Sequence, residues 1–387
     1  MKNLRYLNIF TILIIYTLLM LYIGWNGWVW LHAVFGWESW GYYAFVVGFI
    51  SYAYILVQVF KFLPFLRTIG SIWFAVIQYA LMLLPLANIT VFLLQFVVEK
   101  EAAIIWTGAA VLAAFIFIFA YGVFNAYSPV VRKYEVHIPK KVEGRKSLRI
   151  AMASDMHFGK LSGVSHLKRL VRHVNEMEPD IILLPGDIID DHPGVFIQKN
   201  MGHIMKQMTA PLGVYGVLGN HEYYGRAVPE FLQEMDKIDI RILLDEVITI
   251  EDAFYLVGRR DKTERDRQSF ENLMSTVDKT MPVIAMDHQP FELKQAADAG
   301  VDLLLSGHTH RGQMAPNHIV TRRMYELDWG YAQKGAFHAI VSSGFGFWGP
   351  PLRLGSRSEI VQVEVTFERS EERRVGKECR SRWSPYH

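Results

Sequence analysis

Five short polar motifs in the second half of the chain combine residue types that bind metal ions. In chain order they are Ser154-Asp155-Met156-His157, Gly186-Asp187-Ile188-Ile189-Asp190-Asp191, Gly219-Asn220-His221-Glu222, Asp287-His288-Gln289-Pro290 and Gly307-His308-Thr309-His310. Their candidate metal donors are Asp155, His157, Asp187, Asn220, His288, His308 and His310. Mixed oxygen and nitrogen ligands without thiolate suit manganese, iron or zinc. These seven donors are too many for one tetrahedral zinc ion, but they suit two ions that share a bridging carboxylate.

A pair of divalent ions would support one particular reaction. Held about 3.5–4 Å apart, two ions polarise a phosphoryl oxygen, lower the pKa of a bridging water and stabilise an in-line transition state. The expected reaction is hydrolysis of a phosphate ester by the metal-bridging hydroxide. Each motif alone also fits a structural role, since Asp155 could cap a helix, Asp187 could lie in a turn and Asn220 could adopt a left-handed conformation. The metal hypothesis depends on all five motifs following predicted strands directly.

Strands and helices alternate from Ser147 onward, and this alternation places the motifs. An apolar repeat from Val164 to Met177 predicts a one-sided helix. The strands before the motifs are Leu148–Ala153, Ile181–Leu184, Val214–Leu218, Val283–Met286 and Val301–Leu305, and other strands are predicted at Arg241–Leu244, Phe254–Val257, Ala339–Val341 and Glu359–Val365. Such alternation favours an α/β fold. Open α/β sheets build their sites at the carboxyl ends of strands, where these motifs lie.

The five motifs in this order resemble the signature of the calcineurin-like metallophosphoesterase superfamily, over about Leu148 to Val365. The resemblance implies a two-sheet β-sandwich flanked by helices, with Asp187 bridging two ions. It implies that one ion takes Asp155, His157, Asp187 and His310, and that the other takes Asp187, Asn220, His288 and His308. His221 would steady the phosphoryl group or protonate the leaving oxygen. Asp190 resembles a supporting partner, and we expect Asp191 to be solvated.

Two further features bear on the substrate. The Gly-His-Thr-His-x-Gly-Gln ending is similar to that of bacterial membrane-associated phosphoesterases, including enzymes similar to UDP-2,3-diacylglucosamine pyrophosphohydrolase. Those enzymes usually have glycine at the position of Arg311. We therefore expect Arg311 to affect which substrate the protein accepts. The segment Arg259–Arg267 holds five basic and three acidic residues. It is interpreted as a solvated helix start with mixed charge pairs, and the alternative is a grip on phosphate or on anionic lipid.

The first third of the chain is almost free of charge and predicts a four-helix transmembrane anchor. Its four apolar segments, each about the length that spans a bilayer, are Tyr6–Trp25, Tyr42–Phe60, Ile72–Val98 and Ala102–Phe124. They contain no Asp, Glu, Lys or Arg, so an ion pathway is not expected. Lys and Arg concentrate before the first span, between the second and third, and after the fourth. This asymmetry places the catalytic domain on the cytoplasmic side of the cell membrane.

Domain boundaries follow from these patterns. We expect a transmembrane region over residues 1–130, a linker over 131–147 and a metallophosphoesterase domain over 148–368. Residues 369–387 resemble a translated sequencing adapter and are expected to be an artefact. This tail holds six of the basic residues, three glutamates and the single cysteine, Cys379. Without it the net charge changes from +2 to −1, and neither disulfides nor thiol catalysis is expected.

The leading hypothesis is a membrane-anchored two-metal phosphoesterase that hydrolyses a phosphodiester or pyrophosphate bond, with a lipid-linked substrate as one option. Its catalytic residues would be Asp187 and His221, its cofactors two divalent ions, and its partners the substrate and membrane lipids. One alternative is a cytoplasmic nucleotide phosphodiesterase, although the domain lacks the basic excess expected of a nucleic-acid binder. Another is a membrane scaffold or sensor without catalysis.

Overall fold

The computed structural model describes residues 2–59 and 65–368. They fall into two compact units. The first unit comprises the described residues up to Tyr127 together with Phe347–Leu354, and the second comprises Ser128–Gly346 together with the described residues from Gly355 onward. The adapter-like segment 369–387 lies outside the described residues.

The first unit consists of apolar helices. They are α1 (Lys2–Phe35), α2 (Trp40–Ser51), α3 (Ala53–Val59), α4 (Phe65–Leu94) and α5 (Lys100–Tyr127). Among the described residues, three helical stretches are long and apolar enough to cross a membrane: Asn8–Phe35, Phe65–Leu94 and Lys100–Tyr127. The structure of the second predicted span, Tyr42–Phe60, is not a single long helix. It falls on the two shorter helices α2 and α3, which are separated at Tyr52, and Phe60 is outside the described residues.

The second unit is a sandwich of two sheets. Its strands are β1 (Val130–Lys141), β2 (Ser147–Met152), β3 (Ile181–Pro185), β4 (Val214–Val217), β5 (Ile240–Ile242), β6 (Glu246–Ile250), β7 (Phe254–Gly258), β8 (Val283–Met286), β9 (Leu303–Ser306), β10 (Gly330–Lys334), β11 (Phe337–Val341) and β12 (Glu359–Glu368). The sheet orders are β1-β12-β2-β3-β4-β5 and β10-β11-β9-β8-β7-β6. Strands β2 to β5 are parallel, and so are β7, β8, β9 and β11.

Helices cover the outer faces of both sheets. They are α6 (Val164–Glu176), α7 (Gly194–Gln198), α8 (Met201–Met205), α9 (Asn220–Tyr224), α10 (Val228–Asp236), α11 (Phe270–Leu273) and α12 (Leu293–Ala299). A further helix, α13 (His318–Met324), has no buried side chain. The two-sheet α/β architecture expected from the sequence is confirmed. The predicted helix from Val164 to Met177 corresponds to α6.

Alternation along the strands produces three apolar layers. In β3, Ile181 and Leu183 belong to the cluster between the sheets, whereas Ile182 and Leu184 pack under the helices of the first sheet. In β9, Leu305 faces the inter-sheet cluster and its neighbour Leu304 faces the helices of the second sheet. Because successive strand residues point to opposite faces, strands buried on both sides read as continuous apolar runs. The two sheets are therefore fixed against each other by one shared core.

The predicted linker over residues 131–147 contains regular secondary structure. Most of it is strand β1, which pairs in parallel with β12 at the edge of the first sheet. The burial of this strand alternates, with Val136 and Ile138 buried and Glu135 and His137 exposed. Charged residues on the exposed face hide this alternation in the composition. The short strands β6 and β10, also absent from the sequence prediction, pair antiparallel at sheet edges.

Candidate metal centre

All seven predicted donors lie at the carboxyl ends of parallel strands from both sheets. Asp155 and His157 follow β2, Asp187 follows β3 and Asn220 follows β4, while His288 follows β8 and both His308 and His310 follow β9. Backbone hydrogen bonds join these loops. Asp155 N donates to Gly186 O at 3.1 Å, and Gly307 N donates to His288 O at 3.0 Å. The sandwich thus brings motifs that are far apart in the chain to one place.

A first group of donors surrounds His157. Its Nε2 lies 3.0 Å from Nε2 of His310 and 3.8 Å from Oδ2 of Asp187. His310 Nε2 is in turn 3.6 Å from Oδ1 of Asp155. All four side chains are buried.

A second group of donors surrounds the amide oxygen of Asn220. Its Oδ1 lies 2.9 Å from Nδ1 of His308 and 3.2 Å from Nε2 of His288. His288 Nε2 is also 3.1 Å from Oδ2 of Asp187. That one carboxylate oxygen is therefore close to donors of both groups.

These spacings fit ligands of metal ions. With metal–nitrogen and metal–oxygen bonds of about 2.0–2.2 Å, two ligands on one ion lie about 3.0–3.4 Å apart. The second group matches this range closely, and the first group is slightly wider. His288 has a further property of a ligand, because its Nδ1 is 2.8 Å from the carbonyl oxygen of Pro185 and can donate to it. Such a bond fixes the ring so that the other nitrogen faces the ion.

The backbone at these donors is unusual. Positive φ angles occur at Asp155 (51°), His157 (44°), Asp187 (52°), His308 (72°) and His310 (48°). Side chains rarely adopt this left-handed region, and such residues cluster where function over-determines the conformation. The loops therefore direct five donors inward at some conformational cost.

Burial and close charges shift the pKa values of these groups. Burial raises the pKa of Asp155 to about 6, with the Asp187 charge adding to the effect. Burial also acts on Asp187, but its cationic partners, His288 above all, outweigh it and hold its pKa well below the usual range. Asp187 conversely raises the pKa of His288 well above its ordinary value despite burial. Burial and the His288 charge lower the pKa of His308 to about 4.

His221 lies beside the donors, as the sequence predicts. Its ring centre is 4.6 Å from that of His157, and its backbone N–H donates to Asp187 Oδ1 at 2.9 Å. Its Nδ1 is 2.7 Å from Oδ1 of Asp191. Burial opposes protonation of His221, but the bond to Asp191 and the nearby carboxylates raise its pKa to about 9. Asp191 therefore orients His221, and its side chain is also 41% exposed, so it is partly solvated as expected.

Sequence reasoning gave no role to Glu222, which ties the loops after β3 and β4 together. Its buried carboxylate accepts hydrogen bonds from the backbone N–H groups of Gly219 (2.7 Å), Ile189 (3.1 Å) and Asp187 (3.2 Å). Burial and the Asp187 charge raise the pKa of Glu222 to about 7. A glutamate three residues after Gly219 at a helix start is the pattern of a side chain that caps backbone donors, and that signal could have identified it.

The interpretation of the Arg259–Arg267 segment is corrected. Arg259 is 3% exposed and lies 3.1 Å from Asp287 and 2.7 Å from Glu292. Arg267 pairs with the same two carboxylates at 3.2 and 2.9 Å. Asp287 directly precedes His288, so both arginines neutralise a buried charge that anchors a donor. These two arginines are therefore not part of a solvated helix start, whereas Lys262 and Arg265 in the same segment are exposed.

Comparison with known proteins identifies the family. Residues 148–312 match the model described as calcineurin-like phosphoesterase. An uncharacterized metallophosphoesterase of Aquifex aeolicus is 31% identical over 257 residues, which cover 64% of this chain and 95% of that protein. A transmembrane protein with metallophosphoesterase domain from Danio rerio is 32% identical over 259 residues, or 63% of this chain and 59% of that protein. The chain therefore belongs to the calcineurin-like phosphoesterase family.

An uncharacterized metallophosphoesterase of Helicobacter pylori is 30% identical over 245 residues, which cover 61% of this chain and 64% of that protein. The matches with the Danio rerio and Helicobacter pylori proteins thus span about three fifths of the length of those relatives.

The close approach of Gly219 to Asp187 gives a first prediction. A β-carbon at residue 219 would contact Oδ1 of Asp187 and displace that carboxylate. We expect Gly219→Ala to lower manganese affinity about 10–100-fold, the usual range for changes around a ligand. Titration calorimetry with manganese measures this, and Gly41→Ala is the control because that site has open space. Unchanged affinity in Gly219→Ala would show that metal binding does not need Asp187 in this position.

Proposed function

We propose that this chain is a membrane-anchored phosphoesterase that hydrolyses a phosphodiester or pyrophosphate bond at a two-metal centre. The observation that carries the proposal is the position of Asp187. Its Oδ2 is 3.1 Å from a donor of one group and 3.8 Å from a donor of the other, so a single carboxylate joins them. Two divalent ions, manganese, iron or zinc, would supply Lewis acidity and an activated water.

The chain's own residues would have distinct tasks. Asp155, His157 and His310 would hold one ion, and Asn220, His288 and His308 would hold the other, with Asp187 shared. His221 would donate a proton to the leaving oxygen. Because Asp191 holds its Nδ1, Nε2 is the nitrogen that would act. The carboxylates around His221 favour its protonated form, which a general acid requires before the reaction.

The substrate proposal depends on the surroundings of the site. Arg311, directly after His310, places its guanidinium 3.9 Å over the ring of Trp329. Among the described residues it forms no ion pair, whereas Arg132, 4.7 Å from the same ring, pairs with Glu359 at 2.6 Å. A stacked guanidinium that forms no ion pair among the described residues suits a second anionic group of the substrate. We propose that Arg311 selects a pyrophosphate or a lipid phosphate headgroup.

A nucleotide substrate is the second candidate. Tyr224 is 60% exposed and its ring centre lies 5.4 Å from that of His221. This aromatic face beside the proposed acid could stack on a nucleobase. The substrate comparison below therefore includes a nucleotide pyrophosphate.

A hydrolysis panel tests the proposed activity. With manganese added, we expect turnover of at least one of four substrates: a monoester, a diester, a nucleotide pyrophosphate and a lipid pyrophosphate. Asp187→Asn should reduce turnover to background because the shared carboxylate is lost, while Asp252→Asn, a change of an exposed carboxylate, should leave it intact. Arg311→Gly should change the ratio between pyrophosphate and diester turnover. If the purified protein holds no metal and Asp187→Asn changes neither activity nor phenotype, the chain is better explained as a scaffold or sensor.

The proton-donor role of His221 predicts a dependence on the leaving group. His221→Gln should reduce kcat about 10²–10⁴-fold for esters with an alkoxide leaving group, which needs a proton. The loss should be much smaller for p-nitrophenyl esters, whose leaving group is stable as an anion. The matched control is His203→Gln, at an exposed histidine of α8. An equal loss of kcat on both kinds of ester would mean that His221 steadies the phosphoryl group instead.

We also propose that α2 and α3 together form a fourth span, so that Lys133 and the second unit are cytoplasmic. The positive-inside asymmetry supports this arrangement. With Cys379→Ser as background, an impermeant maleimide should label Lys100→Cys in intact cells, and Lys133→Cys only after the membrane is opened. Both positions are exposed. The reverse pattern would contradict the proposed cytoplasmic position of the second unit.

A further inference from the structure

Helix α13 presents an unusual surface close to the metal centre. Its seven residues, His318–Met324, include no buried side chain. Ile319 is 48% exposed, Val320 56% and Met324 59%. Three neighbouring apolar side chains exposed on one short helix are typical of a surface that contacts a protein or a membrane.

The exposed apolar side chains share one face of the helix with a basic residue. Positions i, i+1, i+4 and i+5 lie on the same side of an α-helix, and here they are Ile319, Val320, Arg323 and Met324. The inner side is fixed by Thr321, whose hydroxyl donates to Asp328 Oδ2 at 2.7 Å. The apolar face is therefore held outward by the fold.

Charge indicates which partner covers this face. Helix α13 contains two arginines, Arg322 and Arg323, and no acidic residue. The nearest acidic residue after the helix, Glu326, is paired with Lys334. Apolar side chains mixed with arginine suit the boundary between anionic headgroups and acyl chains. The described part of the chain has three helices of membrane-spanning length, so a bilayer would lie next to the second unit whenever these helices are inserted.

We propose that α13 lies in the headgroup layer of an anionic lipid bilayer. Ile319, Val320 and Met324 insert toward the acyl chains, and Arg322 and Arg323 contact lipid phosphates. This inference depends on the proposed membrane anchoring but not on catalysis.

The helix is attached to the loop that carries two proposed ligands. Thr309, between His308 and His310, donates its hydroxyl to the Asp328 carbonyl oxygen at 2.5 Å. Asp328 also accepts from Thr321 of the helix. Seating α13 in the bilayer therefore sets the height of this loop above the lipid surface, and it brings headgroup phosphates near Arg311.

Environment-sensitive labelling of the full chain tests this inference. With Cys379→Ser as background, Val320→Cys carries a nitrobenzoxadiazole label, and the protein is reconstituted into phosphatidylcholine vesicles with or without phosphatidylglycerol. We expect a blue-shifted emission and a loss of fluorescence with doxyl-labelled lipids, both greater when phosphatidylglycerol is present. The double substitution Arg322→Gln and Arg323→Gln should weaken the effect of phosphatidylglycerol. We expect each lost arginine to shift the equilibrium between lipid-inserted and water-exposed α13 about fivefold toward the exposed state. The control label at Lys168→Cys, on the exposed face of α6, should remain in water.

Three outcomes would overturn the proposal. A Val320 label with water-like emission in both kinds of vesicle means that the helix does not touch lipid. A blue shift without doxyl quenching means that a protein surface covers it. Equal quenching at Val320 and Lys168 means that no preference for α13 exists. Hydrolysis of a water-soluble diester by the same labelled protein is measured in parallel, so loss of the proposed catalytic function is recognised separately.

Discussion

The centre depends on the cost of keeping two carboxylates away from water. Asp155 is fully buried and Asp187 is 2% exposed. A buried carboxylate is stable only when hydrogen bonds and positive charge replace its hydration. Backbone N–H groups supply part of this, since Asp155 accepts from His308 N and Asp187 from His221 N. The negative charge of these two carboxylates that remains uncompensated favours the binding of divalent ions. The four imidazoles around the carboxylates can serve as neutral ligands.

The same constraint explains several features of the backbone. Carboxylates can approach the loops this closely only where side chains are absent, and a β-carbon at Gly219 or Gly307 would contact Asp187 or Asp155 respectively. The charged layer further out follows the same rule. Asp287 is buried next to His288, and burial raises its pKa to about 6 although Arg267 and Arg259 counteract the shift. Each buried acid near the centre is thus matched by a donor or a cation.

The sequence predicted the parts of this protein that depend on local pattern. Apolar runs such as Val283–Met286 identified the buried strands, and the donors after them are brought together as expected. Their division between two ions and the domain boundaries remain predictions. Strands that form only because a neighbouring strand pairs with them were not predicted. Strand β1 is recognisable only once β12 lies beside it, because its exposed face is charged.

Individual partners were also beyond the sequence. Asp190 and Asp191 are adjacent and chemically identical, and the sequence does not show that Asp191 lies 2.7 Å from Nδ1 of His221. Arg259 reads as a surface residue, since nothing in the segment reveals that Asp287 and Glu292 lie opposite it across the fold. The length of α2 and α3 together resembles one span, and the apolar pattern of the sequence does not mark the break at Tyr52.

Each proposed ion would take donors from both sheets, and this would affect how fast the protein is degraded in a cell. Asp155 and Asp187 come from the first sheet, whereas His288, His308 and His310 come from the second. Ions bound there would link the two sheets, and their binding free energy would stabilise the folded sandwich against separation of the sheets. Scarcity of metal would then increase transient separation of the sheets and expose the chain to proteases. The abundance of the protein would follow the metal supply of its compartment.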